Sequence, residues 1–330
     1  MSRVTIEPPQ YRQIGRRDVL RLWAPAALAG IALAGAGSFL HGRTGRHERA
    51  AARSNTPLPE WRHPADEPGR LVVAGGAGPT DNVRRAMAAL GGMERFVTRG
   101  DKVAIKPNAA WDRTPEQAAN TNPEVVAELV RQCLAAGAAS VVVLDNTCHN
   151  AKRVFERSGI GNAALTAGAT VANQDTAGTR VVDLGGMTLG RWKVLRPILE
   201  ADRLINVPIV KHHSLALATL GMKNWFGAVV GSRPSLHQNI GRVCAELGAA
   251  LNPTLTIIDA TRVLTGGGPT GGSLSLVRPM DLVAAATDPV AADAWGASLL
   301  DLGAAELPHI GIAQDLGLGT SDWSSVVTEA

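Results

Sequence analysis

Beyond residue 70 the chain alternates short β-branched runs with Ala- and Leu-rich stretches of helical period, and few folds accommodate that alternation. The runs at 71–74, 103–105, 141–144, 204–207, 255–258 and 282–286 have strand character, and the stretches at 80–90, 123–136, 236–251 and 289–300 have helical character. A strand followed by a helix and then another strand returns as a crossover, which lays the strands parallel and covers the faces of the sheet. The expected fold is therefore α/β: a mainly parallel, doubly wound, Rossmann-like sheet with helices on both faces. The 36 glycines and 45% hydrophobic content suit close packing of helices on such a sheet, and the sequence shows no internal repeat.

The first 70 residues differ in kind. Eleven arginines and six acidic residues lie between Arg3 and Arg70, so the formal charge of +4 belongs to this segment and the remainder is close to neutral. A nucleic-acid groove needs its basic residues on the folded domain. With one tyrosine and four phenylalanines the chain also has few platforms for stacking bases, so nucleic acid is not an expected partner. Arg16-Arg17-Asp18-Val19-Leu20-Arg21, followed by the apolar run 22–40, resembles a twin-arginine export signal with Val19 where phenylalanine is commoner. Those nineteen residues, at about 1.5 Å each, almost span a hydrocarbon layer of about 30 Å, so a membrane anchor is the alternative reading. The expected organisation is a signal or anchor at 1–40, a linker at 41–69 and an α/β domain at 70–330. On this reading the protein is exported by the twin-arginine route to the periplasm or the outer face of the cytoplasmic membrane, with membrane association through residues 22–40.

Ligands of open parallel sheets bind just beyond the carboxyl ends of the strands. The segments that follow the apolar runs supply Lys106, Asn108, Asp145, His149, Lys211, His213, Asp259 and Asp288 there. Strands also end at the surface, where polar residues need no other reason. The stretch LINVPIVKHHSLALATLGMKNWFG is more demanding, because it sets Lys211, His212, His213, Lys223 and Asn224 into apolar surroundings. Residues two apart on an extended chain share a face. Lys211 and His213 are thus expected to enter one cleft while His212 turns away, with Lys223 and Asn224 returning to the same cleft. A buried lysine with no anionic partner costs several kcal/mol or loses its proton. Two of them imply something negative nearby, either Asp145 or Asp259 from a neighbouring strand or a bound anion.

The segments MAALGGMERFVTRGDKVAIKPN, TNPEVVAELVRQCLAAGAASVVVLDN, FERSGI, EADRLINVPIVKHH, GMKNWFGAVVG, GGGPTGG and ATDPVAADAWG, in this order, resemble the bacterial and archaeal family catalogued as domain of unknown function 362. The similarity covers about residues 82–319. His213 matches the histidine of the family's lysine-x-histidine motif, with His212 where threonine is usual. The resemblance implies a fold and a shared rim of residues, and it supplies no reaction because the family has none settled. Family members often carry a ferredoxin-like segment with clustered cysteines, which this chain lacks.

Residue chemistry then gives the candidates. The catalytic set is His213, Lys211 and Asp145, with His213 as acid/base or metal ligand. The ligand-binding set is Lys106, Asn108, Lys223 and Asn224, together with Gly267, Gly268 and Gly271 of TGGGPTGG, whose backbone N–H groups can approach an anion closely. That loop has no Gly-Lys-Ser/Thr ending, and a plain glycine-rich turn explains it as well. His213, Asp259 and His237 form the candidate metal set, a mixture that suits a divalent ion, although His237 reads equally as a cap. Cys133 and Cys244 sit in apolar helical patterns and read as buried thiols, which leaves Cys148 as the candidate nucleophile or ligand. Three cysteines cannot hold a four-cysteine iron-sulfur cluster from this chain alone; the sequence assigns no cofactor, and a divalent metal is one candidate. Two functions follow. One is an exported enzyme acting on an anionic small molecule, metal-assisted or redox-associated; the other is a non-catalytic exported protein that holds an anionic ligand or metal for a partner such as a redox protein.

Overall fold

A computed structural model describes residues 57–62 and 69–330, which belong to one compact unit running from Asn55 to Ala330. The expected export signal lies outside the described residues. In chain order, β1 (Leu71–Gly75), α1 (Pro79–Ala89), β2 (Lys102–Pro107), α2 (Pro123–Ala135) and β3 (Ser140–Asp145) alternate strand with helix. Then come α3 (Ala151–Arg157), α4 (Ile160–Thr166), β4 (Thr170–Asn173), and a hairpin of β5 (Thr179–Asp183) and β6 (Arg191–Leu195). The middle of the chain forms α5 (Arg196–Leu199), β7 (Arg203–Val207), β8 (Ile209–His213), β9 (Leu217–Thr219), α6 (Gly221–Asn224) and β10 (Val229–Val230). It closes with α7 (Ile240–Ala250), β11 (Leu255–Leu264), β12 (Val277–Ala286), α8 (Pro289–Ser298), α9 (Pro308–Asp315) and β13 (Val327–Glu329).

The main sheet has ten strands in the order β13-β1-β12-β11-β7-β2-β3-β4, with β8 on the far half of β11 and β9 folded back on β8. From β11 to β4 every neighbour is parallel. Both faces are covered, as alternation along β2 shows: Val103 and Ile105 enter the core under α1 and α2, while Ala104 enters the core under α7, α8 and α9. Helices α2, α3 and α8 start at a capping side chain, Asn122, Asn150 and Asp288. Asn122 accepts from Glu124 N at 3.0 Å with Pro123 at the first helical position of α2.

β12 departs from the expected parallel arrangement. It pairs antiparallel with both β1 and β11, so its carboxyl end lies at the rim opposite the ends of β2, β3 and β7. The cause is the connection: the loop between β11 and β12 holds only a short 3-10 turn and no crossover helix, and without a crossover the chain can only turn back. Asp288 therefore does not belong with the other strand ends. It caps α8, accepting from Val290 N at 2.9 Å, Ala291 N at 2.8 Å and Thr320 N at 3.0 Å.

The domain also begins earlier than residue 70. Trp61 is 1% exposed, donates its indole N–H to Ala201 O at 3.0 Å, and accepts at its carbonyl from Thr254 Oγ1 at 2.6 Å. One anchoring tryptophan has no periodicity, which is why the segment reads as linker.

Candidate functional site

Pro208 separates β7 from β8 in the interior of the sheet: β7 pairs with the start of β11, and β8 pairs with its later half across an irregular register. Beyond this break a cleft of about 530 Å³ opens at the carboxyl ends of β2, β3 and β8. Lys106, Asn108, Asp145, Lys211, His213, Lys223 and Asn224, all expected at the site, line it, and so does His237.

Two segments bring these residues together. α6 carries Lys223 and Asn224, and its first two N–H groups donate to Asp293, Gly221 N to Oδ1 at 2.6 Å and Met222 N to Oδ2 at 3.1 Å. His309 Nε2 lies 3.2 Å from the same carboxylate. Asp293 is thus a support for the cleft and not one of its walls. The strand ends β2 and β8 are cross-linked by amides: Asn224 Oδ1 accepts from Lys106 Nζ at 3.1 Å and from Asn108 Nδ2 at 3.0 Å, while Asn108 Oδ1 accepts from Lys211 Nζ at 2.9 Å.

The three lysines differ in their counter-charge. Lys106 Nζ is 2.9 Å from Asp145 Oδ1, and both side chains are buried. Burial pushes the Asp145 carboxyl up and the Lys106 ammonium down, each opposed by the attraction of the other. Gly227 makes this pair possible, because a Cβ there would sit 1.8 Å from Asp145 Oδ1 and 2.7 Å from Lys106 Nζ. Among the described residues Lys211 has only the Asn108 amide and the Ala119 carbonyl as acceptors, and burial lowers it to about 7. Lys223 makes neither ion pair nor hydrogen bond with the described residues. Its ammonium stands 3.3 Å from the centroid of the Phe226 ring, and burial lowers it to about 8.

The histidines are sorted by their backbone partners. His213 Nδ1 accepts from Leu215 N at 3.1 Å and Ala216 N at 3.2 Å, so the ring proton of the neutral imidazole resides on Nε2. Desolvation first, then Lys223 and Lys211, hold its pKa down to about 3. His213 therefore presents an N–H donor to the cleft, not the base or metal-ligating lone pair expected from its residue type. His237 is the reverse: its Nδ1–H donates to Arg233 O at 3.0 Å, which leaves the lone pair on Nε2. The two rings are stacked with centroids 6.4 Å apart. His212 is turned out of the lining, and its Nδ1 accepts from Gly268 N at 3.2 Å.

The metal set does not assemble. Asp259 is fully buried away from the cleft, accepting from Thr261 N and Oγ1 at Oδ1 and from Asn122 N at Oδ2. It ties the bulge in β11 to the start of α2, and among the described residues no three His, Cys, Asp or Glu side chains could hold one ion. Gly267, Gly268 and Gly271 also stay outside the lining, which takes Pro269 from that loop. A Cβ at Gly268 would lie 1.8 Å from His212 O, so this glycine serves backbone approach. His149 lies at the edge, its Nδ1 accepting from Asp112 N at 3.2 Å.

The family model described as domain of unknown function (DUF362) matches residues 103–298, a span that contains both lysine-bearing strands and α6. The chain belongs to the DUF362 family. Among curated proteins, a thylakoid-associated protein of Synechocystis sp. is 29% identical over 245 residues, 72% of this chain and 74% of that protein. Among solved structures, the lactate racemase apoprotein of Thermoanaerobacterium thermosaccharolyticum overlays with a TM-score of 0.39 and 13% identity. That overlay takes in 68% of this DUF362 chain and only 55% of the racemase, and likeness of this size says nothing of activity.

Several lining residues escape sequence reasoning. Arg233 joins the wall and donates to the carbonyls of Asn146 at 2.9 Å and Thr147 at 3.1 Å. Trp111 and Phe226 belong to the apolar part of the lining, and Thr219 adds a hydroxyl. Arg233 sits in a loop with no periodic context, and Phe226 looks like any core aromatic. The one available signal was their closeness in sequence to Lys223, Asn224 and His237.

Proposed function

We propose that this DUF362 protein is an exported enzyme that binds an anionic small molecule between Lys211 and Lys223 and carries out acid–base chemistry on it. The observation that carries the reading is that both ammonium groups are buried in a cleft wall while the nearby carboxylate, Asp145, is taken by Lys106. A bound anion supplies the missing charge. Lys211, near 7, divides between its two protonation states at neutral pH, the condition under which a group both gives and takes a proton. His213 donates through Nε2 to an oxygen of the ligand, and the His237 Nε2 lone pair is the acceptor facing it. Export by the twin-arginine route rests on Arg16-Arg17 and the apolar run behind them. A relative named for its association with thylakoids is in keeping with membrane contact through residues 22–40.

Thermal melts with phosphate, oxalate and citrate test the site. At least one anion should raise the melting temperature of the wild-type protein, and Lys211→Met and Lys223→Met should abolish that rise while leaving the ligand-free melting temperature unchanged or higher. Anion-induced shifts that persist in both variants would remove the lysines from the site. Export is tested separately: Arg16→Lys with Arg17→Lys should retain the protein in the cytoplasm, and undiminished appearance in the envelope would exclude the route.

A further inference from the structure

Of the three cysteines, Cys133 and Cys244 are buried and Cys148 is exposed at the lip of the cleft. Its position is fixed from both sides. Its own N–H donates to Ala110 O at 3.0 Å, and the Arg233 guanidinium holds the carbonyls of the two residues before it. The same cleft contains polar groups that nothing among the described residues satisfies. Thr219 Oγ1 is 3% exposed with no hydrogen-bond partner, and Lys223 is 7% exposed with no anion beside it. Those groups describe a ligand with anionic oxygens, and the exposed thiol lines the same cleft.

We propose that Cys148 is the cleft's nucleophile toward small carboxylates that bear an electrophilic carbon, with the carboxylate held at Lys211 and Lys223 and the carbon offered to Sγ. The inference rests on the anion-binding reading above. The thiolate is the attacking form of a cysteine, and the cations on the cleft wall concentrate negatively charged reagents beside it. With an α,β-unsaturated carboxylate, Sγ bonds to the β carbon, the C=C pair moves to the α carbon, and the proton released by the thiol ends there. The step is a net addition of S–H, with nothing oxidised and nothing expelled. With iodoacetate as a probe, the C–S bond forms as C–I breaks, iodide leaves, and the thiol proton passes to solvent.

The experiment compares alkylation of the full chain by iodoacetate and by uncharged iodoacetamide, each rate divided by that for glutathione, with the modified residue located by mass spectrometry. The expected result is modification at Cys148 with at least about a tenfold relative preference for iodoacetate, within the range that electrostatic focusing provides. That preference should fall several-fold in Lys223→Met and in 1 M salt, where screening shortens to about 3 Å. The salt series on the wild-type chain gives the same answer should the variant not fold. No preference, a preference insensitive to both changes, or modification confined to Cys133 or Cys244 would overturn the assignment. If phosphate, oxalate or citrate still raises the melting temperature through the lysines, the anion site survives that failure; if it does not, both readings fall together.

Discussion

Lys106→Met is expected to destabilise the fold by about 3–5 kcal/mol in urea melts, the usual cost of leaving one half of a buried ion pair without its partner. Lys106 is fully buried and Asp145 is 2% exposed, so the pair is shielded from bulk water. Asp145 would keep one strong donor, Ala109 N at 2.7 Å, while Oδ1, which accepts no other hydrogen bond, would lose its ion pair. A carboxyl so placed takes up a proton, so the loss should be smaller at low pH than at neutral pH. The double variant Lys106→Met with Asp145→Leu should recover most of the stability, because replacing both partners removes the orphaned charge. Gly227→Ala should resemble the single variant, since its methyl would occupy the space of Oδ1 at 1.8 Å. A loss below about 1 kcal/mol for Lys106→Met would mean that the pair is not buried as described.

That pair also marks the limit of what sequence could reveal. β2, β3, β7 and β11 were legible because each holds a continuous apolar run, whereas β4 was not read as a strand, and the rule that ligands gather at carboxyl ends then led to Lys106, Asn108, Asp145 and Lys211. β12 was misplaced because its composition is that of any buried strand; only the absence of a helix between residues 264 and 277 carries its direction. Asp259 and Asp288 look like Asp145 in sequence, each an acid after an apolar run. One closes a bulge, one caps a helix and one meets a lysine, and the difference lies in which backbone N–H groups come within 3 Å. The opposite tautomers of His213 and His237 follow from whether a backbone N–H or a carbonyl meets Nδ1, a contact made by the local turn and invisible in residue type.

Stability of the anion-free protein should rise from pH 7 to pH 9, and Lys211→Met and Lys223→Met should each flatten part of that rise. Folding lowers Lys211 from its ordinary 10.5 to about 7 and Lys223 to about 8, in both cases chiefly by burial. Above the folded values and below 10.5 the unfolded chain therefore binds more protons than the native one. In that condition unfolding becomes less favourable as pH rises, by up to about 1.4 kcal/mol per pH unit for each lysine. Below pH 7 both states hold the protons, and the cost of two buried ammonium groups is present in full. The upper limit of the window is set by Cys133 and Cys244, which burial pushes up to about 12; above pH 9 the unfolded thiols ionise first, which offsets the lysine rise and levels the slope. The lower limit is set by His213, held to about 3, because below about 6.5 the unfolded imidazole gains a proton that the native one refuses, and stability falls further. Lys106 and Asp145 are common to every protein in the comparison and cancel from the difference. An anion in the cleft should reverse the lysine contribution, since it restores the charged form, so binding at pH 8 to 9 should take up protons that calorimetry in two buffers of different ionisation heat can count. A wild-type protein whose anion-free stability is level from pH 7 to 9, with no proton uptake on adding phosphate, oxalate or citrate, would show that the two lysines keep their charge in the empty cleft and that an anion is not what they lack.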